Sequence, residues 1–188
     1  MTEKIEIAGF GGSLRIGSYN KLLLELCKKN MPDNTFLNIL DISGIENFNE
    51  ERIKDSPQKI EEMREAIMRS RGVLVVSPEY NYSVPGFLKN VVDWLSVPPE
   101  KNPFRNKPIA LMSVSGGMLG GSRAQYHLRQ IFQFLDADVI RKPEVFVSFG
   151  GQAFDQDGNL KNPLSMKFVT ELLNILVSRG LEGAGHKQ

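Results

Sequence analysis

Five short apolar runs, at residues 5–8, 35–40, 73–76, 109–112 and 144–147, alternate with stretches whose apolar residues recur at helical spacing. Strands separated by helices cannot pair as hairpins. They form a parallel sheet with right-handed crossovers and helices on both faces. The expected architecture is α/β, a doubly wound five-stranded sheet of order 2-1-3-4-5, three layers deep. That order makes strands one and three neighbours and places ligands beyond the carboxyl ends of the strands at the switch between them. With 188 residues and 41% hydrophobic content, the chain suffices for one such domain over residues 1–188.

The loops at that edge carry the chemistry. The first reads Gly11-Gly12-Ser13-Leu14-Arg15-Ile16-Gly17-Ser18-Tyr19-Asn20. Its glycines permit close approach, and the helix that follows starts with unpaired N–H groups and a partial positive charge, which suits a phosphate. Gly12 and Gly17 have Walker A spacing, yet Ser18 and Tyr19 stand where Lys and Ser or Thr are required. Counting from Gly9, the dinucleotide fingerprint fails at Leu14. What remains is a cradle for one terminal phosphate, with Ser13, Ser18 and Asn20 as donors and Arg15 as the charge. The plain alternative is a glycine-rich turn capped by Ser18.

The loop after strand three, Ser77-Pro78-Glu79-Tyr80-Asn81-Tyr82-Ser83, is aromatic and polar, and the one after strand four contains Ser115-Gly116-Gly117. The former offers planar side chains and a turn whose amides can face a flat ring. The latter permits close approach to a second edge. Three such loops on one side of a sheet describe a mononucleotide with a broad aromatic head, for which FMN is the obvious candidate. For Tyr80 and Tyr82 the competing role is packing over the helix of Trp94.

The remaining signals are structural. The first helix should bury Leu22, Leu23, Leu26 and Cys27, and residues 41–55 read as a surface loop. Ser56 and Pro57 should start the second helix as N-cap and first helical residue, with Ile60, Met63 and Ile67 inward. Pro85 should start the third helix, and Ser122 should cap a fourth that buries Ala124, Leu128, Ile131 and Leu135. His127 has no second ligand within reach and reads as packed or interfacial. The segment 155–159 lacks the glycine and closing glutamate of a calcium loop and reads as a turn. The last helix should begin at Asn162 and Pro163, bury Phe168, Leu172 and Ile175, and end at Gly180, leaving a frayed tail.

Composition removes several classes. A net charge of +1, from 23 basic and 22 acidic residues, gives no footprint for nucleic acid or an anionic membrane. One cysteine, Cys27, makes no intramolecular disulfide, and two histidines, His127 and His186, give no zinc spacing. No run has the length of a membrane span or a leader. A reducing cytoplasm fits best.

Gly12-Ser13-Leu14-Arg15 with Ser18 and Asn20, then Pro78-Glu79-Tyr80-Asn81, then Pro85-Gly86, Leu88-Lys89-Asn90 and Asp93-Trp94 resemble the NADPH-dependent FMN reductase family, notably its chromate and quinone reductase branch. The resemblance implies a flavodoxin-like fold and non-covalent FMN. By position it implies that Ser13, Arg15, Ser18 and Asn20 hold the phosphate, with Leu14 beside them as a further cofactor-binding residue. It further implies that Pro78, Glu79, Tyr80 and Asn81 line the isoalloxazine, with Ser115 and Gly116 at its other edge. It implies hydride transfer from NAD(P)H as co-substrate to a small-molecule acceptor: a quinone, free flavin, azo compound or metal anion such as chromate. The cofactor supplies that chemistry, so no catalytic side chain is required. Family members form homodimers or homotetramers, for which Arg123, Tyr126 and Glu144 are the interface candidates. Two rivals stay open, a flavodoxin-like electron carrier and a flavin-binding regulatory protein, both without NAD(P)H turnover.

Overall fold

The computed structural model describes residues 4–185. In chain order the elements are β1 (Ile5–Gly11), α1 (Tyr19–Lys29), β2 (Thr35–Ile39), α2 (Gln58–Arg69), β3 (Val73–Val76), α3 (Gly86–Ser96) and β4 (Pro108–Val114). Then come α4 (Ser122–Phe134), β5 (Asp138–Val139), β6 (Val145–Val147), α5 (Gly150–Ala153) and α6 (Pro163–Gly185). All pairings are parallel, and the order is β2-β1-β3-β4-β5, as the alternation predicts.

The fifth position differs from a single strand at residues 144–147. It is shared by two short strands: β5 pairs with the start of β4 (Pro108 with Asp138), and β6 with its end (Met112 with Val145). Pro143 lies between them, and a residue without an N–H cannot extend a ladder.

The central strands β1, β3 and β4 are buried on both faces, so alternate residues feed two cores. Ile7, Leu74 and Val76 pack with α1 and α6 on one side. Ala8, Phe10, Val73 and Val75 pack with α2, α3 and α4 on the other. β1 runs past Ala8 to Gly11, and a Cβ built on Gly9 would lie 2.9 Å from the Leu37 side chain. Close packing of β1 against β2 therefore explains a glycine inside a strand.

Several element ends are corrected. α1 buries Leu24 in place of Leu22, which is exposed. Pro57, without a side-chain hydrogen bond, holds the N-cap of α2, so Ser56 does not cap it. Ser122 is the first residue of α4 and not its cap, a place taken by Gly121 in the left-handed region. α4 also buries Gln125 and Phe132. α6 does not stop at Gly180: it continues to Gly185, and a Cβ on Gly180 would lie 2.5 Å from the Arg71 carbonyl oxygen. That glycine is there for close contact. The remainder of the expected frayed tail, residues 186–188, lies outside the described residues.

The segment after β2 is irregular but anchored. It contains a short 3₁₀ turn at Glu50–Asp55. The Glu46 carbonyl accepts from Trp94 Nε1 and Asn90 Nδ2, both at 2.9 Å, and Phe48 meets the Trp94 ring edge-on at 5.1 Å. Buried Arg64 of α2 donates to the carbonyls of Trp94, Leu95, Val97 and Lys101, satisfying the otherwise orphaned end of α3.

Candidate functional site

The three loops leave the sheet side by side because the registers pair Gly11 with Val76 and Val76 with Met112. Loop one is pressed against loop three. Gly12 donates to the Val76 carbonyl at 2.8 Å, and a Cβ on Gly12 would stand 2.8 Å from both Leu88 and Ser77 Oγ.

Beyond that contact loop one is rich in free donors. Among the described residues, the N–H groups of Ser13 to Gly17 have no acceptor. Ser13 is buried, and its hydroxyl has no partner among the described residues. Arg15 is exposed with no carboxylate partner among them, its guanidinium 5.3 Å from the Tyr19 ring centre. Leu14 is exposed beside them. Ser18 caps α1, accepting from Lys21 N–H at 3.4 Å. Free amides, an uncommitted guanidinium and a helix N-terminus form a donor set with the chemistry of a phosphate cradle.

Asn20 is engaged elsewhere. Its amide donates to the Val114 carbonyl and accepts from the Val114 N–H, each at 2.9 Å, in a buried position. It ties the start of α1 to the end of β4, and the structure gives it this task in place of a side chain turned to a ligand.

Loop three is a two-residue hairpin. Tyr80 and Ser83 exchange backbone hydrogen bonds at 3.0 Å, while Asn81 (φ 48°) and Tyr82 (φ 67°) occupy the left-handed region, as in a type I′ turn. Asparagine tolerates that region, whereas tyrosine adopts it at a cost of order 1–3 kcal/mol. The turn is held from outside. Glu79 accepts from the Arg123 N–H at 3.0 Å and from its guanidinium at 3.1 Å, so its carboxylate caps α4. The same guanidinium lies 3.7 Å from the Tyr82 ring centre, and Ser83 Oγ lies 2.9 Å from His127 Nδ1. His127 is thus an exposed strap on loop three and not a packed residue. Tyr80 meets Phe87 of α3 edge-on at 6.4 Å. Pro78 is buried at the loop base.

Loop four leaves room. A Cβ on Gly116 or Gly117 would meet nothing within 4 Å. Ser115 donates its N–H to the Val147 carbonyl at 3.1 Å, and its hydroxyl reaches the Gly117 carbonyl at 3.2 Å. Two supports went unseen in the sequence. Gln125 donates to Ser113 Oγ and the Val145 carbonyl, both at 2.8 Å. Phe149, at φ 50°, and Gly150 donate their N–H groups to the Gly117 and Ser115 carbonyls. The Gly150-Gly151 doublet was the available signal: a Cβ on Gly150 would stand 2.7 Å from Tyr19.

No group of three or more metal-ligating side chains occurs among the described residues. Burial pushes the Cys27 thiol up to about 12, so it stays protonated and inert within the core. Among those residues no helix is long and apolar enough to cross a membrane.

A model of NADPH-dependent FMN reductases matches residues 5–152. The chain belongs to that family. It is 41% identical over 177 residues to an NAD(P)H-dependent FMN reductase of Pseudomonas aeruginosa, covering 94% of this chain and 95% of that protein. It is 43% identical over 147 residues to a quinone reductase of Escherichia coli, covering 77% and 78%. Among solved structures, the flavoenzyme NAD(P)H:(acceptor) oxidoreductase FerB of Paracoccus denitrificans superposes with a TM-score of 0.86 at 27% identity, over 95% of this chain and 98% of that one. The fold is flavodoxin-like. All three loops of this FMN reductase chain fall inside the matched segment, which ends in α5.

Proposed function

We propose that this chain is an FMN-dependent NAD(P)H oxidoreductase acting on quinones and free flavin. One observation carries the reading: a loop of unpaired donors and a strained hairpin open at the same sheet edge, inside the family-matched segment. Ser13, Arg15 and Ser18 hold the phosphate, Leu14 lies against the cofactor beside them, and Asn20 positions that loop from behind. Pro78, Glu79, Tyr80 and Asn81 present the backbone of the hairpin to the isoalloxazine, with Ser115 and Gly116 at its second edge. Glu79 serves the hairpin through its hold on α4. When bound, FMN supplies a two-electron centre that takes hydride from NAD(P)H and returns it to the acceptor. The chain supplies position, and no side chain of the three loops is needed as acid, base or nucleophile.

Azo compounds and oxidised metal anions such as chromate are further acceptors for the same exposed face. We place the protein in the cytoplasm, where a lone buried thiol and a balanced surface charge are at home. A homodimer or homotetramer is supported by α4, where Tyr126 and Phe134 are exposed at 49% and 85%. Tyr126 Oη lies 3.5 Å from Glu144, while Arg123 is already held by Glu79 within the chain.

Steady-state kinetics on FMN-loaded protein with NADH, NADPH and a quinone panel tests the reading. Parallel double-reciprocal lines are expected, because donor and acceptor use one site in turn. Flavin-loaded protein that consumes no NAD(P)H with any quinone refutes the enzyme and favours an electron carrier or regulator.

A further inference from the structure

On the opposite side of loop one from loop three, a groove of about 280 Å³ runs between α1 and the carboxyl end of β2. Its lining begins at Ser13, a buried residue whose hydroxyl has no partner among the described residues. Lys21 comes next on α1, then Glu25 one turn further along, about 5–6 Å away. Neither side chain has a partner among the described residues, and both are exposed. Leu24 and Ile39 supply apolar wall, and Asp41 closes the far side. Lys59 lies 2.6 Å from Asp41 and balances its charge.

The order of these groups matters. A cation stands next to the phosphate loop, a free carboxylate stands beyond it, and apolar side chains line the wall between helix and strand. A second phosphate joined to the first meets Lys21, and ribose hydroxyls donate to Glu25, as sugar hydroxyls donate to an acidic residue in dinucleotide folds. A flat base then covers Leu24 and Ile39. We infer that this groove is a subsite for an adenylate group joined to the phosphate on loop one, so that the chain takes FAD as well as FMN. The inference rests on loop one holding the flavin phosphate.

Calorimetric titration of flavin-free protein with FMN and with FAD tests it. FAD is expected to bind within about tenfold of FMN. Lys21→Gln should weaken FAD about fivefold or more and FMN less than threefold, since Lys21 contributes only its backbone N–H to the cap of α1. Glu25→Trp fills the groove from an exposed helical position and should weaken FAD alone. FAD weaker than FMN by more than about tenfold, or variants that weaken both flavins alike, overturns the subsite. A protein that binds neither flavin refutes the phosphate role of loop one itself, whereas FMN binding without FAD leaves that role standing. On FMN-loaded protein, 2′,5′-ADP is expected not to depend on Lys21. Lys21-dependent binding of that nucleotide, with FAD insensitive to Lys21, assigns the groove to pyridine nucleotides and overturns the inference.

Discussion

Glu79 gives the sharpest test of how the hairpin is held. Its carboxylate serves an N–H in the first turn of α4 and the Arg123 guanidinium, at side-chain exposures of 13% and 37%. Glu79→Ala removes a helix-cap acceptor, costing about 1 kcal/mol, and a charge-assisted bond. That bond is partly screened by solvent and is worth about a further 1 kcal/mol. For a chain of this size each kcal/mol moves the midpoint by about 2–4 °C, so the alanine variant should melt about 4–8 °C lower. Glu79→Gln keeps an acceptor for the N–H and loses only the charge, and should melt about 2–4 °C lower. With Asn81 and Tyr82 no longer held in the left-handed region, the flavin must order the hairpin on binding. That ordering costs about 1–2 kcal/mol, or roughly tenfold in FMN affinity for the alanine variant. Differential scanning calorimetry of flavin-free protein and FMN titration read both effects. An alanine variant that melts with the native protein, or a glutamine variant as damaged as the alanine one, refutes the proposed division of labour.

Arg15→Ala should weaken FMN by about 10- to 100-fold in a fluorescence titration, the worth of a charge-assisted phosphate contact, without changing the melting of flavin-free protein. Unchanged affinity removes Arg15 from the phosphate role. Asn20→Ala should lower the melting of flavin-free protein and weaken FMN as well, because it strands the buried Val114 N–H and carbonyl at about 1–3 kcal/mol each and releases loop one from β4; flavin-free protein that melts unchanged refutes this. The Lys59 hydrogen bond, then those from the Ser43 N–H and hydroxyl, pull the Asp41 carboxyl down to about 2. Its stabilisation is therefore full above the unfolded value of about 4 and lost as pH falls towards 2. In acid denaturation the native protein and Asp41→Asn should accordingly converge over that window, with only a small effect because the group is exposed. A difference that stays constant across the window contradicts the assignment.

The sheet was legible because each strand carries its own signal. Val73–Val76 is four buried apolar residues bounded by Gly72 and Ser77, and the strand follows the sequence residue for residue. The fifth position was not, since β5 and β6 are each too short for a pattern and the neighbour that recruits both is β4. The phase of α1 failed for a related reason. Leu22, Leu23 and Leu24 are chemically alike, and the packing of α1 on the sheet, not leucine itself, decides which two turn inward. In the candidate site the residue types were visible and their partners were not. Asn20 and Val114 are 94 positions apart, and Glu79 and Arg123 are 44 apart. Nothing local to Asn20 distinguishes a side chain that faces a ligand from one that joins two elements.

That distinction changes what the motif residues mean. A polar residue in a ligand loop has a limited number of hydrogen bonds, and those spent on scaffold are withdrawn from the ligand. Asn20, Glu79 and Gln125 spend their hydrogen bonds on backbone groups or on a side chain of the same scaffold, and in doing so lock loop one to β4, loop three to α4 and α4 to β6. What is left facing outward is mostly main chain: the N–H groups of Ser13 to Gly17, the tip of the hairpin, and the uncovered backbone at Gly116 and Gly117. Main-chain donors survive any side-chain change except one to proline, and their positions are set by what holds the loop. Substitutions that loosen the flavin should therefore fall more often on the locks than on side chains touching it, with Arg15, the one free cation of loop one among the described residues, as the exception.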